Sequence, residues 1–140
     1  MLKIFGMMFV FLTFSVSVAQ ANVLIQCSNP SGKVFYPAED RWVDDGIRGG
    51  KFAVGLVDNE FDLLFVDATG NLNSASADGG TVYPVYLGAD RFTLVVAYSD
   101  GNTELFSFDL LERTFYMTQH KMFNDVRFFH KFGTYKGKCD

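Results

Sequence analysis

The chain has 140 residues, of which 49% are hydrophobic and 16% aromatic, and its formal net charge is −4 at pH 7. A mildly acidic composition differs from the strongly basic one of most nucleic-acid-binding domains, so we expect no nucleic-acid partner. The length fits one small domain, and the sequence shows no repeat, long charge run or low-complexity segment.

The N-terminal segment has the pattern of an export signal. Met1-Leu2-Lys3 supplies a basic start, residues 4–18 are almost wholly apolar, and Ala19-Gln20-Ala21 has the small-x-small form that signal peptidase accepts. The alternative is a membrane anchor, but about fifteen apolar residues are short for a span, which needs roughly twenty. We therefore predict a signal peptide over 1–21 and a mature domain over 22–140, periplasmic or secreted, with no membrane span after cleavage.

Two cysteines lie near opposite ends of the predicted mature domain. Cys27 follows the predicted cleavage point closely, and Cys139 is the penultimate residue. An even number of cysteines in an exported chain indicates a disulfide, although two free buried thiols are the alternative. In a lipid-anchored protein, a small residue directly precedes the lipidated cysteine. Gln26 precedes Cys27 here, so we expect no lipidation of Cys27. A Cys27–Cys139 bond would place the first and last strands side by side.

Alternating apolar residues and evenly spaced turn signals predict an all-β chain. The predicted strands, in chain order, are 23–27, 33–36, 52–56, 61–67, 81–87, 91–98, 103–110, 114–122 and 126–136. Strands of this kind predict an antiparallel barrel or sandwich of about eight strands whose termini are joined by a disulfide.

The connections between these strands differ in character. Ser28-Asn29-Pro30-Ser31-Gly32 is a strong turn signal, 38–50 is a long polar loop that carries Trp42, and 73–80 is a small, polar, flexible loop. Segment 103–122 also fits a helical stripe, although alternating phenylalanines and β-favouring residues favour two strands. We keep the helix as the alternative for that segment.

Candidate metal ligands are few. His120 and His130 are the only imidazoles, and a zinc site needs at least one further ligand. Asp40, Asp44 and Asp45 share a glycine-rich segment, which is the oxygen-rich setting that calcium prefers, but their spacing matches no EF-hand loop. Solvated carboxylates and hydrogen-bonded strand histidines account for these residues better. We therefore predict neither a metal nor a cofactor.

Catalytic motifs are equally scarce. The sequence has no Gly-x-Ser-x-Gly elbow, His-Glu-x-x-His helix or phosphate-cradling glycine loop. Asp62 and Asp67 are candidates for a glycosidase-like carboxylate pair, but both lie on one predicted strand, and the sequence alone identifies no aromatic platform for a sugar. We predict no catalytic residue and keep a carbohydrate-active or metal-dependent hydrolase as an alternative.

Several segments resemble known proteins. Residues 27–33 (Cys-Ser-Asn-Pro-Ser-Gly-Lys), 42–47 (Trp-Val-Asp-Asp-Gly-Ile) and 64–70 (Leu-Phe-Val-Asp-Ala-Thr-Gly) resemble small exported β-proteins of Gram-negative bacteria, a resemblance that carries no functional residues. Ser74-Ala75-Ser76 with Tyr83 is similar to the Ser-Ala-Ser-Gly-x-x-Tyr loop of the periplasmic inhibitors of c-type lysozyme, which are small β-barrels. Here the tyrosine comes later, and the Trp-x-Lys-Gly segment of those inhibitors is absent.

The leading prediction is a non-enzymatic exported β-domain that binds a macromolecule, a protein or an envelope component, through its end loops. The second resemblance implies that such binding inhibits an enzyme. Trp42 either caps one end of the fold or presents a flat contact surface, and loops on a rigid β-scaffold commonly carry function. The predicted binding residues are therefore Trp42, Ser76, Asp78 and Tyr83. A small-ligand carrier with an internal cavity is the other alternative.

Overall fold

The computed structural model describes residues 22–66, 69–122 and 130–140, and in these ranges the chain forms ten strands and one short 3-10 turn. Strands form where apolar residues alternate with polar ones, because that period places one side of each strand against a core. The elements are β1 (Asn22–Tyr36), the 3-10 turn (Pro37–Glu39), β2 (Arg41–Gly46), β3 (Lys51–Val57), β4 (Glu60–Val66), β5 (Leu72–Ser74), β6 (Gly80–Leu87), β7 (Arg91–Tyr98), β8 (Thr103–Asp109), β9 (Thr114–Lys121) and β10 (Lys131–Cys139).

These strands form one antiparallel sheet that curls around the core. Its order is β5-β4-β3-β1-β10-β9-β8-β7-β6, and β2 pairs with β1 outside this path. One side of β1 pairs first with β3 and then with β2, while β10 lies along its other side. The predicted all-β, antiparallel architecture is confirmed. The described residues form ten strands where about eight were predicted, because β2 and β5 lie between predicted strands, although the two strands predicted at 23–27 and 33–36 are one.

β1 continues through the segment that was predicted to be a turn, so that prediction is wrong. Its register shifts between Ser28 and Ser31, and Asn29 between them has a φ of 50°. Asparagine tolerates this left-handed conformation better than most residues. An extra residue of this kind is a β-bulge, which bends a strand without ending it. The turn-forming residues therefore bend β1, and the two strands predicted on either side of them are one.

The predicted loop 38–50 is also corrected, because β2 lies within it. The chain reverses at the short 3-10 turn, where Asp40 is left-handed with a φ of 46°. β2 then pairs with the second half of β1, and the Lys33 ammonium lies 3.1 Å from the Asp44 carboxylate across that pair. The polar outer positions of β2 hide its strand pattern in the sequence.

Segment 103–122 forms β8 and β9, which confirms two strands and rejects the helix. The turn between them is tight because Asp109 Oδ1 accepts the backbone N–H groups of Leu111 and Glu112. Arg113 completes the reversal with a φ of 50°. A carboxylate that accepts two backbone donors replaces the glycine that a hairpin usually has here.

The last strand differs from its predicted limits. Positions 126–129 of the predicted strand lie outside the described residues, and β10 extends beyond position 136 to Cys139. Cys27 and Cys139 are register partners, and a disulfide joins them across 112 residues of sequence. The predicted disulfide and the predicted adjacency of the first and last strands are confirmed.

The inner face of the curled sheet holds a core rich in phenylalanine. The Phe52 ring packs against the rings of Phe106 and Phe115, with centroids 5.8 Å apart in both pairs. A Cβ at Gly137 would lie 2.2 Å from the Phe115 ring, so only glycine lets β10 pass this close. The core therefore sets which side chains of each strand face outward.

Within the described ranges, the chain contains no helix whose length and hydrophobicity would allow it to cross a membrane.

Candidate functional site

Trp42 and Tyr83, predicted as separate recognition residues, lie on the same side of the sheet. We call this side the outer face: it consists of the residues of β2, β1, β10, β9, β8, β7 and β6 that point away from the core. Cross-strand register aligns these residues in rows. The first row is Trp42, Phe35, Phe132, His120, Thr103, Ala97 and Thr81; the second is Asp44, Lys33, Thr134, Thr118, Leu105, Val95 and Tyr83; the third is Gly46, Ser31, Lys136, Tyr116, Ser107, Thr93 and Tyr86.

One end of the outer face carries a short aromatic row. The Trp42 ring lies 5.3 Å from the Phe35 ring, and His120 contacts Phe132 edge to face at 4.6 Å. Trp42 is 57% exposed and lies on a strand, not in a loop. The structure therefore corrects the loop placement: Trp42 lies on β2, packs against Phe35 and keeps more than half of its surface exposed.

The outer face also carries three exposed tyrosines: Tyr83 and Tyr86 on β6, at its other end, and Tyr116 on β9, midway along it. Tyr83 is 53% exposed, and Tyr86 and Tyr116 are exposed to a similar extent. Six inter-strand steps separate Trp42 on β2 from β6, which corresponds to roughly 29 Å along the sheet at about 4.8 Å per step. Aromatic side chains thus lie at both ends of the face, and its middle mixes threonine and serine with Phe132, His120 and Tyr116.

A groove of about 450 Å³ lies between two of these tyrosines. Its walls are Tyr86 and Tyr116, and its floor is the pair Thr93 and Ser107, whose hydroxyl oxygens are 3.1 Å apart. Arg91 and Asp109 also line the groove and are register partners one row away. The groove therefore combines aromatic walls, a hydroxyl floor and one pair of opposite charges.

The segment that contains Ser76 and Asp78 is held by hydrogen bonds and connects the two edge strands β5 and β6. Buried Asp62 accepts the backbone N–H and the hydroxyl of Ser76, and it also accepts the backbone N–H of Leu63. The Ser74 hydroxyl accepts the backbone N–H of Ala77 at 3.1 Å. The segment is therefore a fixed turn, unlike the flexible loop predicted from its composition.

The structure does not bring the four predicted binding residues together. The Ser76 side chain faces Asp62 beside β4, Asp78 lines a cavity on the inner side, and Tyr83 lies on the outer face. Only Tyr83 and Trp42 share a surface. The Ser-Ala-Ser and Tyr elements that resemble the inhibitor loop therefore point into different surroundings.

Removal of the Asp62 carboxylate should loosen this turn. We expect Asp62→Ala to lower the free energy of unfolding by about 1–3 kcal/mol, because two backbone donors and one hydroxyl lose their buried acceptor. Asp62→Asn is the matched control, since an amide oxygen at the Oδ1 position still accepts the backbone N–H groups of Leu63 and Ser76, and we expect an intermediate loss. Urea denaturation followed by circular dichroism measures both, and equal stability of Asp62→Ala and wild type would contradict the role assigned to Asp62.

A second concave region of about 250 Å³ lies at the polar end of the inner face. Glu104 is buried there and pairs with Lys121 at 3.2 Å, while Gln119 lines the same space. Burial, followed by the negative charge of Glu104, raises the pKa of Tyr98 to about 12. This cavity is the structural feature that corresponds to the small-ligand alternative.

A polar chain leads from this cavity to β2. Gln119 Nε2 donates to the Tyr135 hydroxyl at 2.6 Å, and that hydroxyl donates to Asp45 Oδ2 at 2.8 Å. Burial and the hydrogen bond to Asp45 raise the pKa of Tyr135. Asp45 therefore points inward and Asp44 outward, so these neighbours do not converge on one ion.

The remaining site candidates are placed as follows. Among the residues that the structure describes, no three histidine, cysteine, aspartate or glutamate side chains are close enough to hold a metal ion. Asp67, the second member of the predicted carboxylate pair, lies outside the described residues. Asp62 is engaged by the Ser76 turn.

Tyr86, Tyr116, Thr93 and Ser107 were not singled out from the sequence. Alternation predicts that Thr93, Ser107 and Tyr116 point away from the core, but Tyr86 joins them only because the register of β6 shifts between Pro84 and Tyr86. The four residues come from four strands, and the register that aligns them is not a local property. Searches against protein-family models, curated proteins and solved structures found no match to this chain. The function proposed below therefore depends on the geometry of its own residues.

Proposed function

We propose that this chain is an exported, non-enzymatic binding domain that holds an extended macromolecule of the cell envelope against its outer face. The observation that carries the proposal is the alignment of exposed aromatic residues at both ends of one sheet face. Tyrosine and tryptophan are the residues that most often dominate binding energy, because they bring a large area and lose few rotamers. A partner that spans roughly 30 Å of sheet would contact both ends.

The shape of the face supports an extended partner. Between the aromatic ends lie Thr134, Thr118 and Thr103, whose short side chains leave the backbone surface accessible. A compact small ligand would contact one end only. An extended chain uses both aromatic ends at once, and linked contacts raise the overall affinity without any new kind of interaction.

The alternatives have less support from the geometry. A hydrolase based on Asp62 would need a carboxylate that is free to exchange protons, whereas this carboxylate accepts three hydrogen bonds in a buried turn. A small-ligand carrier would use the inner cavity, whose 250 Å³ lies below the usual range of about 300–1,000 Å³. Inhibition of an enzyme is one form that macromolecule binding can take.

Export and closure of the sheet belong to the same proposal. A signal peptide over 1–21 and a periplasmic or secreted location agree with the disulfide, because such bonds persist outside the reducing cytoplasm.

The edge strands β5 and β6 are joined by a turn in which the Gly80 N–H donates to the Ala75 carbonyl at 2.8 Å. We infer that this connection draws the sheet toward a barrel more than a two-layer sandwich.

Co-sedimentation of the purified protein with the insoluble envelope fraction of a Gram-negative bacterium tests the proposal. We expect Trp42→Ser and Tyr83→Ser each to lower the apparent affinity about tenfold, since loss of one central aromatic contact removes at least about 1.4 kcal/mol. Leu72→Ser is the matched control, because Leu72 is 68% exposed on β5 and lies off the outer face. Equal retention of all three variants and wild type would overturn the proposed function.

A further inference from the structure

We propose that the groove between Tyr86 and Tyr116 binds a sugar ring of an uncharged glycan. This inference rests on the proposed function and names the chemistry of the extended partner. The groove lies in the third row of the outer face, where register places Thr93 and Ser107 directly between the two tyrosines. Its volume of about 450 Å³ lies within the range of pockets that enclose small molecules.

The groove has a tyrosine at each wall, and a lysine covers one face of the Tyr116 ring. Lys136 Nζ lies over the Tyr116 ring, 5.4 Å from its centroid. In the third row Lys136 is on one side of Tyr116 and Ser107 is on the other. The ammonium therefore covers one face of this ring, and the groove lies on the other side of Tyr116. A pyranose ring has an apolar face of C–H groups, which packs on an aromatic face and leaves the sugar hydroxyls free.

The floor and one side of the groove complement hydroxyl groups. The hydroxyls of Thr93 and Ser107 both donate and accept, as sugar hydroxyls do. Arg91 supplies donors alone, and Asp109 supplies acceptors alone. Because Asp109 Oδ1 already accepts two backbone N–H groups of the following turn, its carboxylate is held in a defined orientation. An array of donors and acceptors on a fixed scaffold is what orients a neutral polyol.

Charge and surface chemistry favour this class over other extended partners. Arg91 and Asp109 balance each other in the groove, so an anionic polymer finds no net positive charge there. An acyl chain would cover the hydroxyls of the floor without giving them hydrogen-bond partners, which costs free energy. A peptide that added a strand would need the free edge of β6, but Pro84 lacks an N–H and the register shifts between Pro84 and Tyr86.

Isothermal titration calorimetry of the intact protein with two uncharged tetrasaccharides, cellotetraose and N-acetylchitotetraose, tests the assignment. We expect at least one to bind with a dissociation constant in the millimolar range or below. Tyr86→Ser and Tyr116→Ser should each weaken that binding about tenfold, because the stacking surface is lost. Tyr116→Phe keeps the ring and should stay within about threefold of wild type, and Leu72→Ser should equal wild type.

Three outcomes overturn the assignment. Absence of heat from both sugars at millimolar concentration would remove the glycan class, and equal binding by wild type and both serine variants would remove the groove. Binding as weak for Tyr116→Phe as for Tyr116→Ser would show that the hydroxyl, and not the ring face, matters. The proposed function fails separately: if Trp42→Ser and Tyr83→Ser still lower envelope retention while sugars do not bind, the outer face stands and its partner is not a glycan.

Discussion

Replacement of both Cys27 and Cys139 by serine is expected to lower the free energy of unfolding by about 4 kcal/mol. The disulfide spans 112 residues of sequence, so it restricts nearly the whole unfolded domain, and chain-entropy arithmetic for a loop on the order of a hundred residues gives about 4.7 kcal/mol. Residual structure in the unfolded chain reduces that figure. The bond also joins β1 to β10 in the interior of the sheet order, away from either edge strand.

Urea denaturation followed by fluorescence measures this effect. Wild-type protein in the presence of a reductant is the control, and it should unfold at the same urea concentration as the double serine variant, because both lack only the cross-link. A difference below about 1 kcal/mol between oxidised wild type and the variant would contradict the prediction. Since small domains are stable by about 5–15 kcal/mol, a loss of this size could leave the variant partly unfolded at 37 °C.

Phe106→Ala is expected to lower the free energy of unfolding by about 3–5 kcal/mol. The Phe106 side chain is fully buried, and its ring centroid lies 5.8 Å from that of Phe52 and 6.4 Å from that of Phe108. Phe52 is on β3 and Phe108 is on β8, so truncation of Phe106 leaves a cavity where distant parts of the sheet meet. Rigid strands that are also hydrogen-bonded to their neighbours can collapse into that cavity only in part.

The matched control for this truncation is Leu111→Ala. Leu111 lies in the β8–β9 turn and is 77% exposed, so truncation of this apolar side chain to alanine should alter stability by no more than about 0.5 kcal/mol. Thermal and urea unfolding of the two variants under identical conditions give the comparison. Equal destabilisation by the two substitutions would contradict the central place of Phe106 in the core.

Most strands were predictable because their signals are local. β7 matches its predicted range of 91–98, and β8 and β9 lie within one residue of theirs, since alternation of buried and exposed residues depends only on neighbours in sequence. The predictions that were wrong concern segments in which pairing with a distant strand outweighs the local sequence preference. Residues 28–32 favour a turn, yet β10 pairs with Ser28, Ser31 and Gly32 in this segment, and the chain forms a bulge in place of a reversal.

β2 was missed for a related reason. Its residues Arg41 to Gly46 are mostly polar, and a strand with few apolar positions carries little periodic signal. It forms because the second half of β1 has a free side, and six register pairs satisfy backbone groups of both strands. Because of this pairing, Trp42 lies on a strand at the outer face and not in the predicted loop.

Some residues of the candidate site were named from the sequence, and others were recognised only in the structure. Trp42 was chosen as a contact residue from its residue type and Tyr83 from the resemblance, and the side chains of both are more than half exposed. The groove between Tyr86 and Tyr116 was not inferred, because residues thirty positions apart in sequence meet only through the register of three strand pairs. Ser76 was chosen by resemblance, and only the structure shows that buried Asp62 holds its hydroxyl.

By itself the sequence determined the fold class, the disulfide and the identity of most strands, because these depend on composition, cysteine number and alternation along the chain. Only the tertiary structure decided which strands are neighbours, where β1 bends without turning and which side chains share the outer face. The physical reason is that strand pairing is a long-range choice. A shift of one residue in register would exchange the inner and outer sides of a strand, and the burial of the phenylalanine core selects among the possible pairings.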